Sequence, residues 1–570
     1  MSYPDPNDKD FNRRITKKYN KYNIPNKKES LRQICFPKKY KLQLPQQFLA
    51  KYINPNSPYK GVLVFHRIGA GKTCTAVNIG EQWKHKRKIV TILPASLIGS
   101  FRSELRSLCA GNAYITKKDR EKLKELKPSS KEYKKIIKES NEKIDKYYNI
   151  MSYNKFIEYA ENGEISLKKS VLIIDEVQNM VSEEGKYYNI LYNTIHESPN
   201  DLRIVLLSAT PMFDKPIEVA LTMNLLKLPF ELPTGKEFEK MFLKLKKSKD
   251  GEVCCSAKNL KIFKERIKGY VSYFRGAPEH VFPSSTIKYV KCEMSNFQYN
   301  SYKTVLKNEN KSSKFKKIQD ISDLPNNFFI GTRMISNVVF PNKKINKEGF
   351  KSFKGKHLTL EYLDRYSIKF YKILKSIKRS SGTVFIYSNF KEFGGIYSFI
   401  KVLEGNGYMS YIKHGEGRKR FAVWSSDEKL HIKDEIKEIF NRKSNANGSK
   451  LKIILGSPAI KEGVTLLRVQ QVHILEPYWN QSRVEQVIGR AIRYCSHKDV
   501  PEEKRSVRVY IYIATHPKAK ITVDEYIHEM SMRKNKLIKE FERALKEVAI
   551  DCSLFKNANS SKNSKIICDV

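Results

Sequence analysis

The sequence predicts an α/β protein with two tandem parallel sheets flanked by helices and carrying helical insertions. Three observations point there. Short apolar runs recur, reading VLVF (62–65), IVTIL (89–93), VLII (171–174), RIVLL (203–207), VFIY (384–387), KIIL (452–455), QVHIL (471–475) and VRVYIYI (507–513). Runs of this length, β-branched and bounded by polar residues or glycine, suit strands buried on both faces. Helix-like stretches separate them, and that alternation calls for parallel strands with right-handed crossovers. The runs also fall into two groups, 40–230 and 370–515, on either side of a region rich in Lys, Ser and Asn.

This pattern divides the 570 residues into an N-terminal extension (1–37), a first lobe (38–230), a linker and insertion region (231–360), a second lobe (361–520) and a C-terminal helix with tail (521–570). Residues 117–148 mix charges of both signs and read as a solvated helical hairpin. Val523, Tyr526, Ile527, Met530, Leu537, Phe541, Leu545 and Val548 recur at helical spacing, a face expected to pack on the second lobe. The stretch NANSSKNSK (557–565) is expected to be disordered.

Lys and Arg total 107 against 60 Asp and Glu, a formal net charge of +47. Such an excess calls for a polyanionic partner, nucleic acid or an acidic membrane surface. The abundance of Lys, Asn, Ile and Tyr also fits an A+T-rich genome, which accounts for part of the charge. No run of about 18 apolar residues occurs, so no transmembrane helix and no membrane partner are expected. The start, MSYPDPNDKDFNRR, lacks the apolar core of a signal peptide. Nine cysteines show no CxxC spacing, and free thiols in a reducing compartment are expected.

The sharpest local signal is GVLVFHRIGAGKTCTAV (61–77), a buried strand, a glycine turn and a helix. Gly69 and Gly71 permit positive φ and close backbone approach. Successive N–H groups of His66, Arg67, Ile68, Gly69, Ala70 and Gly71 can turn toward phosphate oxygens. Lys72 supplies charge to the β- and γ-phosphates, and Thr73 a hydroxyl to Mg²⁺. His66 stands where the strict phosphate-loop pattern has glycine.

VLIIDEVQNM (171–180) follows about a hundred residues later. Asp175, just beyond a strand, is placed to hold the Mg²⁺ shell, and Glu176 to act on the attacking water. LLSATPM (206–212) offers Ser208, Ala209 and Thr210 as a post-strand loop able to report the γ-phosphate state. GSPAIKEGVTLL (456–467) offers Gly463 and Thr465 for sugar–phosphate contact. RVEQVIGRAIRYCSH (483–497) places Gln486, Arg490 and Arg493 in one helical region, from which an arginine can stabilise transition-state charge.

The set IGAGKT, DEVQ, SATP and QVIGRAIR, in this order, resembles the superfamily 2 helicase series and covers residues 66–493. Such a resemblance implies two RecA-like lobes, ATP and Mg²⁺ as cofactors and a nucleic-acid partner. Gln47, in LPQQFLAKYI, is similar to the upstream glutamine that reads adenine. Gln178 stands where many relatives carry histidine. LVFHRIGAGKTCTAV, LPASLIGSFRSEL, GYVSYFRGAP, FIYSNFKEFGGI and ILEPYWNQSRVEQVIGRAIRYCSH look like the helicase-like ATPases of large cytoplasmic DNA viruses. These include poxvirus nucleoside triphosphatase I, the small subunit of the early transcription factor, and giant-virus and African swine fever virus relatives. That likeness implies DNA-stimulated ATP hydrolysis in viral transcription, contact with a viral RNA polymerase, and location in the virion and host cytoplasm. The alternative is a polymerase-recruiting subunit whose ATPase is a switch. A small-molecule kinase would need neither SATP nor QxxGRxxR.

Overall fold

A computed structural model describes residues 3–26, 29–126, 130–183, 185–247, 253–312, 328–461, 464–560 and 565–569. The chain forms two compact units, residues 1–279 with 536–570, and residues 280–535. Each is built on a parallel sheet flanked by helices, the two-lobed α/β architecture that the alternating apolar runs predict.

In the first unit the strands are β1 (Gly61–His66), β2 (Lys88–Leu93), β3 (Tyr148–Ser152), β4 (Ser170–Asp175), β5 (Arg203–Ser208) and β8 (Val271–Phe274). They run in the order β3-β2-β4-β5-β1-β8, every pair parallel. All six residues of β1 and all six of β4 are buried, which is why these strands read as continuous apolar runs rather than alternating ones. The short antiparallel pair β6 (Leu243–Lys247) and β7 (Val253–Ala257) stands apart from that sheet.

The second unit orders its strands β11-β12-β13-β10-β14-β15-β9. Their ranges are β9 (Ser284–Glu293), β10 (Thr383–Tyr387), β11 (Met409–Ser410), β12 (Arg420–Trp424), β13 (Ile453–Gly456), β14 (Val469–Ile474) and β15 (Ser506–Thr515). All eight apolar runs named above are strands, four in each sheet. Residues 231–360 are shared out between the units, with β6 to β8 in the first and β9 in the second.

The C-terminal helix Val523–Glu547 corrects the expectation that its apolar face packs on the second lobe alone. Val523, Ile527 and Met530 belong to the second unit's core, but Leu537, Phe541, Leu545 and Val548 belong to the first unit's core. Phe541 sits between Phe238 and Phe263, with ring centroids 5.7 and 5.5 Å away. The expected disorder at 557–565 is also corrected for its first residues. Lys556–Asn559 is a short helix, and Asn559 is buried, donating to the Tyr273 carbonyl and accepting from the Arg275 N–H. Residues 561–564 lie outside the described residues. No helix among the described residues is long and apolar enough to cross a membrane.

Phe541→Ala tests the assignment of the final helix. It removes a fully buried ring from the first unit's core. A loss of about 3–5 kcal/mol is expected, read as a lowered denaturant midpoint for that unit's transition.

Candidate nucleotide site

The order β4-β5-β1 sets three loops side by side at the C-terminal ends of adjacent strands, where open α/β sheets bind ligands. β1 leads into Arg67–Gly71, β4 into Glu176, and β5 into Ala209 and Thr210. Gly69 and Gly71 have φ of 84° and 77°, so the loop turns through the left-handed region that glycine tolerates. The helix Lys72–Trp83 starts at Gly71 and puts its unsatisfied N–H groups at the loop. Arg67 and Gly69 are exposed, Ile68 and Thr73 half-buried, and Ala70 is buried under the turn.

Lys72 Nζ lies 3.8 Å from Glu176 Oε1, bringing together the loop and the carboxylates read from distant stretches of sequence. Asp175 is 6% exposed, and its Oδ1 accepts the Glu176 N–H at 3.0 Å. Burial, reinforced by the Glu176 charge, pushes its carboxyl above the ordinary carboxylate range, and Lys72 pulls the other way. Glu176 adopts φ 51°, a left-handed conformation that a non-glycine residue takes only when its surroundings fix it. The Tyr153 hydroxyl does part of that fixing by donating to the carbonyls of Asp175 and Glu176.

From Glu176 a hydrogen-bonded chain runs to the loop after β5. Gln178 Nε2 donates to Glu176 Oε2 at 2.6 Å. Ser208 Oγ donates to Gln178 Oε1 at 2.7 Å and accepts the Thr210 N–H at 3.0 Å. Beyond Thr210, Glu218 accepts the N–H groups of Phe213 and Asp214. Burial raises the Glu218 carboxyl to about 7.

Of the two upstream glutamines, Gln46 and not Gln47 turns toward the phosphate loop. Gln46 is buried and its Nε2 donates to the Gly71 carbonyl at 3.4 Å, whereas Gln47 turns back to the Leu42 carbonyl at 2.8 Å. A Cβ at Gly71 would come within 2.6 Å of Gln46 Nε2, so the glutamine and the glycine fit each other closely. Sequence spacing alone does not choose between neighbours. The helix Leu44–Tyr52 chooses, since Phe48, Leu49 and Tyr52 on its buried face turn Gln46 inward. Tyr153 and Glu218 carry no sequence signal of their role, because each acts on backbone groups.

In the second unit the helix Gln481–Ile488 carries Gln486 but ends before the arginines. Arg490 and Arg493 therefore lie in the turn that follows, which corrects their placement at helical spacing. Arg490 Nη1 donates to the Val464 carbonyl at 3.4 Å, and Arg493 donates to Gly489 O at 3.0 Å and to Thr465 Oγ1. The turn thus brings Arg493 and Thr465 together. Gly463 lies outside the described residues.

The expectation of free thiols is corrected too. Cys74, in the first turn of the Lys72–Trp83 helix, is joined to Cys109, and Cys552 to Cys568. Among the described residues, Cys292 is a free thiol.

Residues 46–349 match the SNF2-related domain, and residues 368–495 the helicase conserved C-terminal domain. The chain belongs to the SNF2-related helicase family. Relatives of it lie in large DNA viruses. An Acanthamoeba polyphaga mimivirus protein named as an ATP-dependent RNA helicase is 53% identical, over 98% of this chain and 97% of its own. A second mimivirus protein of that description is 27% identical, over 96% of this chain and 79% of its own. The termination factor NPH-I homolog of African swine fever virus is 26% identical, over 87% of this chain and 76% of its own. As an SNF2-related helicase the protein is an ATP-dependent nucleoside triphosphatase that acts on nucleic acid.

Gln46→Ala should raise the KM for ATP by roughly threefold to tenfold, the size of one hydrogen bond, while Gln47→Ala should leave it near wild type. Steady-state ATPase assays on the pair decide between the two neighbours.

Proposed function

We propose that the protein is an ATP-driven translocase on nucleic acid that works in viral transcription. The observation that carries this is the unbroken chain from Lys72 through Glu176, Gln178 and Ser208 to the Thr210 N–H. It links the phosphate loop to a loop on a neighbouring strand, the connection a motor needs and a simple phosphotransferase does not.

In this reading Lys72 and the N–H groups at the start of its helix bind the β- and γ-phosphates, and Glu176 orients the attacking water. Thr73 and Asp175 offer hard oxygen donors of the kind Mg²⁺ takes. When bound, Mg²⁺ supplies charge neutralisation between the phosphates. Asp175 must then give up the proton that burial favours. Arg490 and Arg493 supply charge to the transition state. Strand contact through a strongly basic protein is tolerant of sequence and sensitive to salt.

The transcription role draws on the African swine fever virus relative, named as a termination factor homolog. With it come a viral RNA polymerase as partner and the virion and host cytoplasm as location. DNA is the favoured polymer, although the mimivirus relatives are named for RNA. ATPase rates with single-stranded DNA, duplex DNA or RNA, each at two salt concentrations, decide the polymer. DNA stimulation that weakens at high salt is expected, and stimulation by RNA alone would overturn the DNA assignment.

Lys72→Ala should abolish turnover. Glu176→Gln should keep ATP affinity and lose hydrolysis by roughly a hundredfold or more. Arg490→Ala should lose hydrolysis with affinity mostly intact, and near-normal turnover would remove the arginine from the mechanism. Mg²⁺–ATP binding near pH 7 should release protons from Asp175, whose carboxyl burial holds above its ordinary range. Calorimetry in buffers of different ionisation enthalpy reads that release, and Glu176→Gln, which removes the charge beside Asp175, should reduce it.

A further inference from the structure

β8 is the edge strand beside β1, and residues 549–560 cover its backbone. Ile550 N–H donates to the Val271 carbonyl at 2.9 Å, and Asp551 Oδ1 accepts the Tyr273 N–H at 2.9 Å. β8 and the residues after it in turn reach the floor of the phosphate loop. The Arg67 N–H donates to the Phe274 carbonyl at 3.1 Å, and a Cβ at Gly276 would meet the Ala70 Cβ at 3.3 Å.

One side-chain chain crosses the same layer. Asp551 Oδ2 accepts from Ser272 Oγ, and Ser272 Oγ lies 3.0 Å from His66 Nε2. All three residues are 0% exposed. His66 Nδ1 is buried with no hydrogen-bond partner among the described residues.

With Asp551 ionised, the protons of this chain can be placed in only one way. An ionised carboxylate only accepts, so Asp551 takes the single Ser272 proton. Ser272 Oγ is then the acceptor toward His66, and Nε2 must carry a hydrogen. Burial, with Lys72 adding to it, holds the imidazole down to about 3, so the ring has one proton and Nδ1 has none. A bare Nδ1 is an acceptor within the field of the Lys72 ammonium.

We propose that Asp551, acting through Ser272, is a positioning residue for the phosphate loop, fixing His66 in the Nε2–H tautomer at the end of β1, where the loop leading to Lys72 begins. This deepens the reading of residues 66–73 as the ATP phosphate site and rests on it. The C-terminal segment is thereby part of the nucleotide machinery, although it is about 480 residues away from the loop in sequence. The three residues have no access to substrate, so the set is a relay and not a nucleophilic triad.

Asp551→Asn is the discriminating variant. Its shape is nearly unchanged, but the amide can keep the Tyr273 bond only by turning its NH₂ toward Ser272. Ser272 must then donate to His66 Nε2, which forces the proton onto Nδ1. The full-length protein is labelled with ¹⁵N-histidine and studied at pH 8, above the value of about 7 to which burial raises Asp551. His66→Gln assigns the signal. The wild type should show His66 protonated at Nε2, and Asp551→Asn at Nδ1. ATPase assays should show KM for ATP raised roughly threefold to tenfold in Asp551→Asn with kcat changed by less than twofold.

An Nδ1–H tautomer in the wild type overturns the proposal, as does a reversed tautomer with unchanged KM. If Asp551→Asn does not fold, Ser272→Ala takes its place, since it cuts the relay and keeps the Asp551–Tyr273 bond. A raised KM with little change in kcat supports the proposal there, and an unchanged KM overturns it. The ring spectrum is read without nucleotide, so it stands even if Lys72→Ala retains turnover. That second result would strike the phosphate-site reading instead.

Discussion

Two adjacent carboxylates at the buried end of a strand are held next to one lysine. Placing Asp175 and Glu176 in succession beyond β4 is unfavourable in isolation, because burial and mutual repulsion both oppose ionisation. The surroundings offset this with the Lys72 ammonium 3.8 Å from Glu176 and the Glu176 N–H on Asp175. They hold the left-handed backbone at Glu176 through Tyr153. The strand order follows from the same need, since β5 between β1 and β4 is what sets three loops within reach of one phosphate group.

The chain through Gln178 and Ser208 gives that arrangement a second property. Gln178 has both a donor and an acceptor, so one side chain serves Glu176 with its NH₂ and Ser208 with its carbonyl oxygen. A change in the charge on Glu176 therefore alters the hydrogen bonding of a residue in another loop without any large movement. At 6% exposure the amide is shielded from solvent, so the links of the network are strongly coupled.

What the sequence made legible was the part that backbone sterics dictate. Glycines at 69 and 71, a lysine after them, and acids beyond an apolar run are fixed by local geometry, and the strands appeared where their apolar runs stood. Which of Gln46 and Gln47 turns toward Gly71 was not legible, because a helical rotation of one residue is set by packing around Phe48 and Tyr52. The helix bearing Gln486 stops at Ile488, and its Gly489 C-cap alone does not announce that Arg490 and Arg493 follow in a turn. β8 was missed because VSYF is short and its partner β1 lies about two hundred residues earlier. The cysteine pairs share no spacing rule, and only the fold brings Cys74 within 5.8 Å, Cα to Cα, of Cys109.

The end of the chain could not be read as part of the first unit for a related reason. Edge strands need cover, and a parallel sheet built from crossovers has no neighbouring hairpin to provide it. β8 takes its cover from residues 549–560, and the helix before them fills the same core with Leu537, Phe541 and Leu545. The first unit therefore closes only after the whole second unit, residues 280–535, has been made. Contacts of that sequence separation are entropically slow to form, and until they do the β8 edge and its apolar face stay open. The polar residues of the covering segment suit this order. Asp551 and Asn559 supply the edge with hydrogen bonds that a purely apolar helix could not give, so correct docking is marked by satisfied backbone groups as well as by buried area.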